Sequence, residues 1–178
     1  MRTGANSARF LCERRTDMIG RKSIVFLLIV LLGTGWYASR PCLVIYTQEK
    51  ILESAELEKG MAFSVRFIHS VQKTPVEEYF TVNDAGDGFI LHSTKYQSFG
   101  VGLPFMSSDG NFRREGDWFI MDAMERNIPV LTLRPGVGTE LTLTIKNKVF
   151  PLYEMVPLGT SVTLRIVPRY KIWSGLEG

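Results

Sequence analysis

Histidine and cysteine are nearly absent from this 178-residue chain, with two of each. Cys12 and Cys42 lie on opposite sides of a long apolar run, so no disulfide can staple the chain, and a folded domain has to be held by its own core. His69 and His92, with Glu77 and Glu78 the nearest acids, fall at no spacing typical of metal ligands, so neither a metal nor a cofactor is expected. No nucleophile elbow, ordered Ser/His/Asp set or phosphate-binding Gly-Lys-Ser/Thr loop is present. There is also little basic charge where a nucleic-acid partner would need it. Residues 1–22 carry six Arg or Lys against two acids, a net +4, and the rest carries 15 against 16, a net −1. The excess of +3 thus sits in an N-terminal head, which argues against nucleic-acid binding. Repeats, linkers and low-complexity tracts are missing, and 45% apolar with 22% charged residues excludes a disordered chain.

What is present begins with Ile24–Leu32, nine apolar residues in a row, extended without charge to Ala38. Arg21 and Lys22 precede it and Trp36 and Tyr37 close it, the pattern of a helix inserted with its N-terminus in the cytoplasm. Ser23–Ser39 would span about 25 Å as a helix, and snorkelling by Arg21 and Lys22 makes up the shortfall. A cleavable signal ending near Gly33-Thr34-Gly35 is the alternative to an anchor. Both place the remainder outside the cytoplasm. Met18-Ile19-Gly20-Arg21-Lys22 has the form of a short basic head, whereas residues 1–17 show no pattern of their own. Lipidation of Cys42 is not expected, because Ser39-Arg40-Pro41 precedes it where small or apolar residues are needed.

From Leu43 onward the pattern is that of strands. Phe63, Val65 and Phe67 alternate with Ser64 and Arg66, and Phe80 and Val82 continue the period after Pro75. Gly86-Asp87-Gly88 turns into Phe89–Leu91. Trp118–Met121, Leu131–Leu133, Leu141–Ile145, Val149-Phe150 and Val162–Val167 follow, with turns at Pro135-Gly136 and Asn147-Lys148. Asp122–Arg126 is the one helix candidate in this part. Residues 101–117 form the longest irregular stretch, and such stretches tend to carry function.

Two motifs stand out. His69-Ser70-Val71-Gln72-Lys73-Thr74-Pro75-Val76-Glu77-Glu78-Tyr79 joins two strands. In strand phase His69 shares the apolar face with Phe67, and Glu78 with Phe80. A hairpin would then set Glu78 beside His69 or beside Phe67 at the rim of the core. Such a pair could serve as acid and base, clamp a ligand, or pin the loop. Tyr96-Gln97-Ser98-Phe99-Gly100-Val101-Gly102-Leu103-Pro104 offers glycines beside aromatics, where a backbone can approach a ligand or pack tightly on a sheet end. In a meander both loops start at the same end of the sheet. His69, Ser70, Lys73, Thr74, Glu77, Glu78, Tyr96, Ser98, Phe99, Gly100, Gly102 and Pro104 are therefore the candidate binding residues, with His69, Lys73, Glu77 and Glu78 expected within reach of the second loop.

Phe67–Tyr79, thirteen residues in order, and Tyr96–Pro104 resemble the two signatures of the domain of unknown function 1850 (DUF1850) family. The resemblance extends over about residues 43–168 and includes Leu131-Thr132-Leu133-Arg134 and Pro157-Leu158-Gly159-Thr160; the long head before Met18 is unusual for it. It implies a small bacterial envelope protein with an N-terminal apolar segment, associated with tripartite TRAP transporters of the TAXI class, which take up small organic solutes through a periplasmic binding protein. It brings no established activity.

The expected chain is thus a basic cytoplasmic head at 1–22, a transmembrane or signal segment at 23–39, and an all-β extracytoplasmic domain at 43–170, an antiparallel β-sandwich or barrel-like fold. It is expected at the inner membrane, single-pass, facing the periplasm or cell exterior. Its expected role is binding or accessory, not enzymatic, with TRAP membrane subunits or the solute-binding protein as partners. A hydrolase or isomerase using His69 and Glu78 is the alternative.

Overall fold

The fold is that of a computed structural model, which describes residues 5–99, 103, 104, 106 and 108–175, with side chains from Arg21 onward. The chain divides into two compact units, Met1–Arg40 with Pro168–Gly178, and Pro41–Val167.

The first unit is built on α1 (Ala5–Ser39). Its stretch Arg21–Ser39 is long and apolar enough to cross a membrane or act as a signal sequence, with a length of about 28 Å. Every residue from Ile24 to Leu32 is exposed. Thr34 within the apolar stretch bonds back to the Val30 and Leu31 carbonyls, which satisfies its hydroxyl inside the helix.

The second unit is antiparallel β structure. Its strands, in chain order, are β1 (Pro41–Tyr46), β2 (Ile51–Glu56), β3 (Ala62–Ile68), β4 (Pro75–Val82), β5 (Phe89–Tyr96), β6 (Asn111–Glu115), β7 (Trp118–Asp122), β8 (Arg126–Ile128), β9 (Leu131–Leu133), β10 (Thr142–Ile145), β11 (Lys148–Pro151) and β12 (Val162–Pro168). One sheet has the order β2-β1-β12-β9. The other runs β11-β10-β3-β4-β5-β7-β6, with β8 also pairing β5. Neither closes into a barrel among the described residues. Leu43, Ile45 and Leu164 from the first sheet and Phe63, Phe80 and Leu143 from the second meet in one apolar core. Phe63 lies opposite Phe80, stacked at 4.9 Å between ring centroids, with Phe89 edge-on at 5.1 Å. Each such buried aromatic contributes about 3 kcal/mol. Cys42 belongs to this packing: it is buried in β1, with its thiol 3.3 Å from the Val167 carbonyl, and the start of β1 therefore lies beside the end of β12.

Several local expectations are corrected. Asp122–Arg126 is not helical. Ala123 adopts φ 57° and the Met124 amide donates to the His92 carbonyl at 2.9 Å, so the segment is tied to β5 as a break between β7 and β8. Tertiary pairing overrides helix propensity here. Asn111–Glu115, inside the stretch expected to be irregular, is the edge strand β6, whose residues are all exposed; its charged side chains hid it from a search for alternation. The turn after β10 falls on Lys146-Asn147, one residue early, with Lys146 at φ 53°. A short helix, α2 (Leu152–Met155), follows β11, and α3 (Tyr170–Ser174) follows β12 in the first unit.

Candidate functional site

The loop between β3 and β4 is organised by its own histidine. His69 is buried, and its Nδ1 accepts hydrogen bonds from the amides of Val71 and Gln72, both at 3.2 Å. Its backbone closes the loop at both ends, the amide donating to Thr74 O and the carbonyl accepting from Lys73 N, each at 2.9 Å. Lys73 takes φ 56°, a left-handed conformation that lets the chain turn back into β4. An Nδ1 that accepts two amides carries no proton, so the tautomer is fixed with the hydrogen on Nε2. Ser70 and Lys73 are exposed. The Thr74 hydroxyl is buried, with no hydrogen-bond partner among the described residues.

β4 separates the two glutamates. Glu77 pairs with Arg66 and Lys95 in register, accepts the Tyr79 hydroxyl at 2.6 Å and lies 3.8 Å from the Arg66 guanidinium. Burial and this bond to Glu77 push the Tyr79 pKa up to about 12. Glu78 points to the opposite face, opposite Val65 on one side and Thr94 on the other. The expected pairing of Glu78 with His69 or Phe67 is therefore not formed. The phase was right, but the six-residue loop places Val76 across from Phe67, which sets Glu78 two ladder pairs further along, opposite Val65. Among the described residues nothing hydrogen-bonds the Glu78 carboxyl or joins it to His69, so these two side chains do not form an acid–base pair.

Glu78 instead borders a cleft of about 720 Å³. Its walls come from β5 (Leu91, Thr94), from the segment before β6 (Leu103, Pro104, Asp109, Gly110) and from the break between β7 and β8 (Met124, Glu125, Arg126). Two backbone irregularities open it. A bulge at His92 shifts the register of β5 against β4, which brings Thr94 rather than Ser93 to the Glu78 side. The His92 ring is held by Thr81, 2.7 Å from Nε2. Opposite, β5 pairs with β7 at one end and β8 at the other, and the Ala123 break lies between them. At the mouth, Gly110 adopts φ 154° against the Asp122 carbonyl, where a Cβ would collide with that oxygen. The Asp122 carboxylate clamps the surrounding strands, accepting from Arg113 Nε at 2.6 Å and Ser93 Oγ at 2.7 Å, which hold its pKa below the usual value.

The cleft's electrostatics are uneven. Burial raises the Glu78 pKa above 4.5, opposed by the positive charge of Arg126. Asp109, Glu125 and Arg126 are exposed at the rim, and buried Leu91, Leu103, Thr94 and Met124 form the interior, with Thr94 donating to the Met124 sulfur. The arrangement offers a carboxyl that keeps its proton more readily than usual, one guanidinium and an apolar floor.

The second motif supports the cleft and carries a separate surface. Tyr96 is wholly buried, and its hydroxyl donates to the Pro104 carbonyl at 2.5 Å, which pins the segment over the cleft. Ser98 Oγ donates to Gln72 Oε1 at 3.3 Å, so the two motif loops meet at one end of the sheet. Phe99 and Phe112 are exposed and cluster with Phe119, Phe99 lying 4.4 Å and Phe112 6.0 Å from its ring. Gly100 and Gly102 lie outside the described residues. The candidates thus separate: Glu78, Pro104 and Tyr96 build the cleft, His69 and Lys73 shape a loop, Glu77 lies on the far face, and Phe99 belongs to the aromatic cluster. Thr94, Arg126, Met124 and Asp109 were missed. A bulge and a strand break bring them in, and neither has a sequence signature in this chain.

A family model for DUF1850, a domain of unknown function, matches residues 63–152, half of the chain, and the chain belongs to that family. The match covers β3 to the start of α2 and thus both motif loops and the cleft. No curated protein and no solved structure matches the chain.

Proposed function

We propose that this DUF1850 protein is a membrane-anchored, extracytoplasmic binding protein, an accessory of a TAXI-type TRAP transporter, and that its ligand site is the cleft bordered by Glu78. The observation that carries the binding reading is the Glu78 carboxyl itself. It is desolvated, has no hydrogen-bond partner among the described residues and borders a space of about 720 Å³, within the roughly 300–1,000 Å³ that small-molecule sites occupy. The side chain is half-buried, and a partly desolvated carboxyl without a protein partner is stabilised by a ligand that hydrogen-bonds it. A small organic solute with an apolar body and a polar head suits the walls: Leu91, Leu103 and Met124 for the body, Glu78, Thr94 and Arg126 for the head. His69 is committed to its own loop, which favours binding over acid–base catalysis. The transporter association comes from the family resemblance, and the exposed Phe99–Phe112–Phe119 face is the surface suited to a protein partner.

Purification of the full chain from native membrane tests both parts. Transporter subunits are expected to accompany the wild type and a Glu78→Gln variant alike, and to be lost from a Phe99→Ala/Phe112→Ala variant. Mass spectrometry is expected to find a small organic molecule with the wild type that is depleted at least tenfold from Glu78→Gln. An equal amount in both would remove Glu78 from the site. Wild-type preparations carrying no TRAP component would end the transporter assignment.

A further inference from the structure

We propose that the C-terminal helix α3 lies in the headgroup layer of the membrane as a second, interfacial contact, which clasps the outer end of the spanning helix. The proposal rests on the reading of α1 as an anchor. It starts from the end of α1, where Trp36 and Tyr37 are 62% and 48% exposed on the last turns. Two guanidinium groups cover these rings. Arg40 sits over Trp36 at 3.9 Å, and Arg169, immediately before α3, sits over Tyr37 at 4.3 Å. The Arg169 amide also donates to the Arg40 carbonyl at 2.9 Å. All of these residues fall in one compact unit. The C-terminal segment is therefore fixed at the level of the aromatic end of α1, which a spanning helix sets at the membrane–water boundary.

From that point α3 presents Tyr170, 47% exposed, and Trp173, 66% exposed, with Lys171 between them and Ile172 half-buried. Water is a poor solvent for two such aromatics on a helix of five residues, and nothing within the described chain covers them. The headgroup layer suits them on three counts. Amphipathic Trp and Tyr rings concentrate there, the long stems of Lys and Arg reach from it to lipid phosphates, and basic residues are attracted to anionic lipid. Arg40, Arg169 and Lys171 supply three basic groups at this level against no acidic residue in 168–175. The membrane surface is thus the occupant that both the aromatic and the charge pattern select. The chain would thus contact the bilayer both before and after its β domain in sequence.

The protein has three tryptophans, which makes the test direct. In the full chain carrying Trp36→Phe and Trp118→Phe, Trp173 is the only tryptophan. After reconstitution into phosphatidylcholine vesicles with or without phosphatidylglycerol, its emission is read against iodide in the water and against acyl-brominated lipid. The expected result is several-fold protection from iodide and quenching by the brominated lipid, both stronger with phosphatidylglycerol. Full accessibility to iodide with no lipid quenching would overturn the proposal. The companion variant with Trp36 alone separates this from the anchor reading. Lipid quenching of Trp36 with a water-exposed Trp173 rejects α3 only, whereas a chain that fails to co-sediment with vesicles after alkaline extraction rejects the anchor. Should the double substitution unfold the domain, Trp173→Phe in the otherwise native chain reads the same quantity, as loss of the component quenched by lipid.

Discussion

Replacing His69 with alanine should destabilise the β domain without touching the cleft. The perturbation removes a single acceptor, Nδ1, that takes two backbone amides at 3.2 Å. Each neutral hydrogen bond contributes about 0.5–1.5 kcal/mol net, giving about 1–3 kcal/mol for the pair. Val71 and Gln72 are exposed, so water can rebond their amides, which moves the figure to the lower half. The imidazole is 8% exposed, so losing its packing moves it back up. The net expectation is about 1–2 kcal/mol, or about 3–6 °C in the midpoint for a domain of this size. Urea unfolding of the detergent-solubilised full chain, followed by tryptophan emission, should show a lower midpoint at unchanged slope. An asparagine at 69 provides the control. Its side-chain oxygen can accept from the amides two and three residues on, as in an Asx turn, and should recover half or more of the loss. Two outcomes refute the reasoning: an alanine variant with a wild-type midpoint, or an asparagine variant as unstable as alanine. The second would show that the Nδ1 acceptor role is not what matters.

Glu78→Gln should alter the pH dependence of stability in a defined direction. Burial raises the folded-state pKa of Glu78 above 4.5, so its stabilising contribution is complete below pH 4.5 and is lost as pH rises through the folded value. The glutamine variant does not titrate there, so it should match the wild type in acid and exceed it as pH rises through the folded pKa of Glu78, after which the difference levels off; parallel profiles would contradict the desolvated placement. Gly110→Ala should cost about 2 kcal/mol or more, because the new Cβ meets the Asp122 carbonyl and φ 154° strains any L side chain. Hydrogen exchange should then be faster in β6 and β7 while the core strands β3 and β4 keep their protection, and an alanine variant with wild-type stability and exchange would contradict the close approach.

The apolar run and the strand phases were legible because each is a local pattern with a large energetic consequence. The apolar run Ile24–Leu32 lies in a helix stretch long and apolar enough to cross a membrane or act as a signal sequence, and Phe63, Val65, Phe80 and Val82 reach the core by period-2 alternation. The antiparallel all-β class follows from such runs and their turns. What could not be read was register. A hairpin with His69–Thr74 as its loop and one with Ser70–Pro75 share the same phase and differ only in which residues oppose each other. The choice is made by the hydrogen bonds of His69 and by Lys73 entering a left-handed conformation. This single step separates Glu78 from His69.

The same limit explains why half the cleft was invisible. Alternation carried forward from Phe89 and Leu91 would put Ser93 and Lys95 on the core face and Thr94 and Tyr96 on the outer face. The bulge at His92 reverses this, burying Thr94 and Tyr96 and leaving Ser93 to bond Asp122. A bulge adds one residue and changes the destination of every side chain after it. Its stabilisation comes from distant partners: Thr81 holds the His92 ring and Met124 caps its carbonyl. Those partners lie 11 and 32 residues away in sequence, beyond the reach of any local pattern. Residues that determine what Glu78 faces across β5 are thus found far from the motif that contains it. A substitution at Ala123, Met124 or His92 should therefore reshape the cleft as effectively as one at a lining carboxylate, although none of these residues lies in either signature loop.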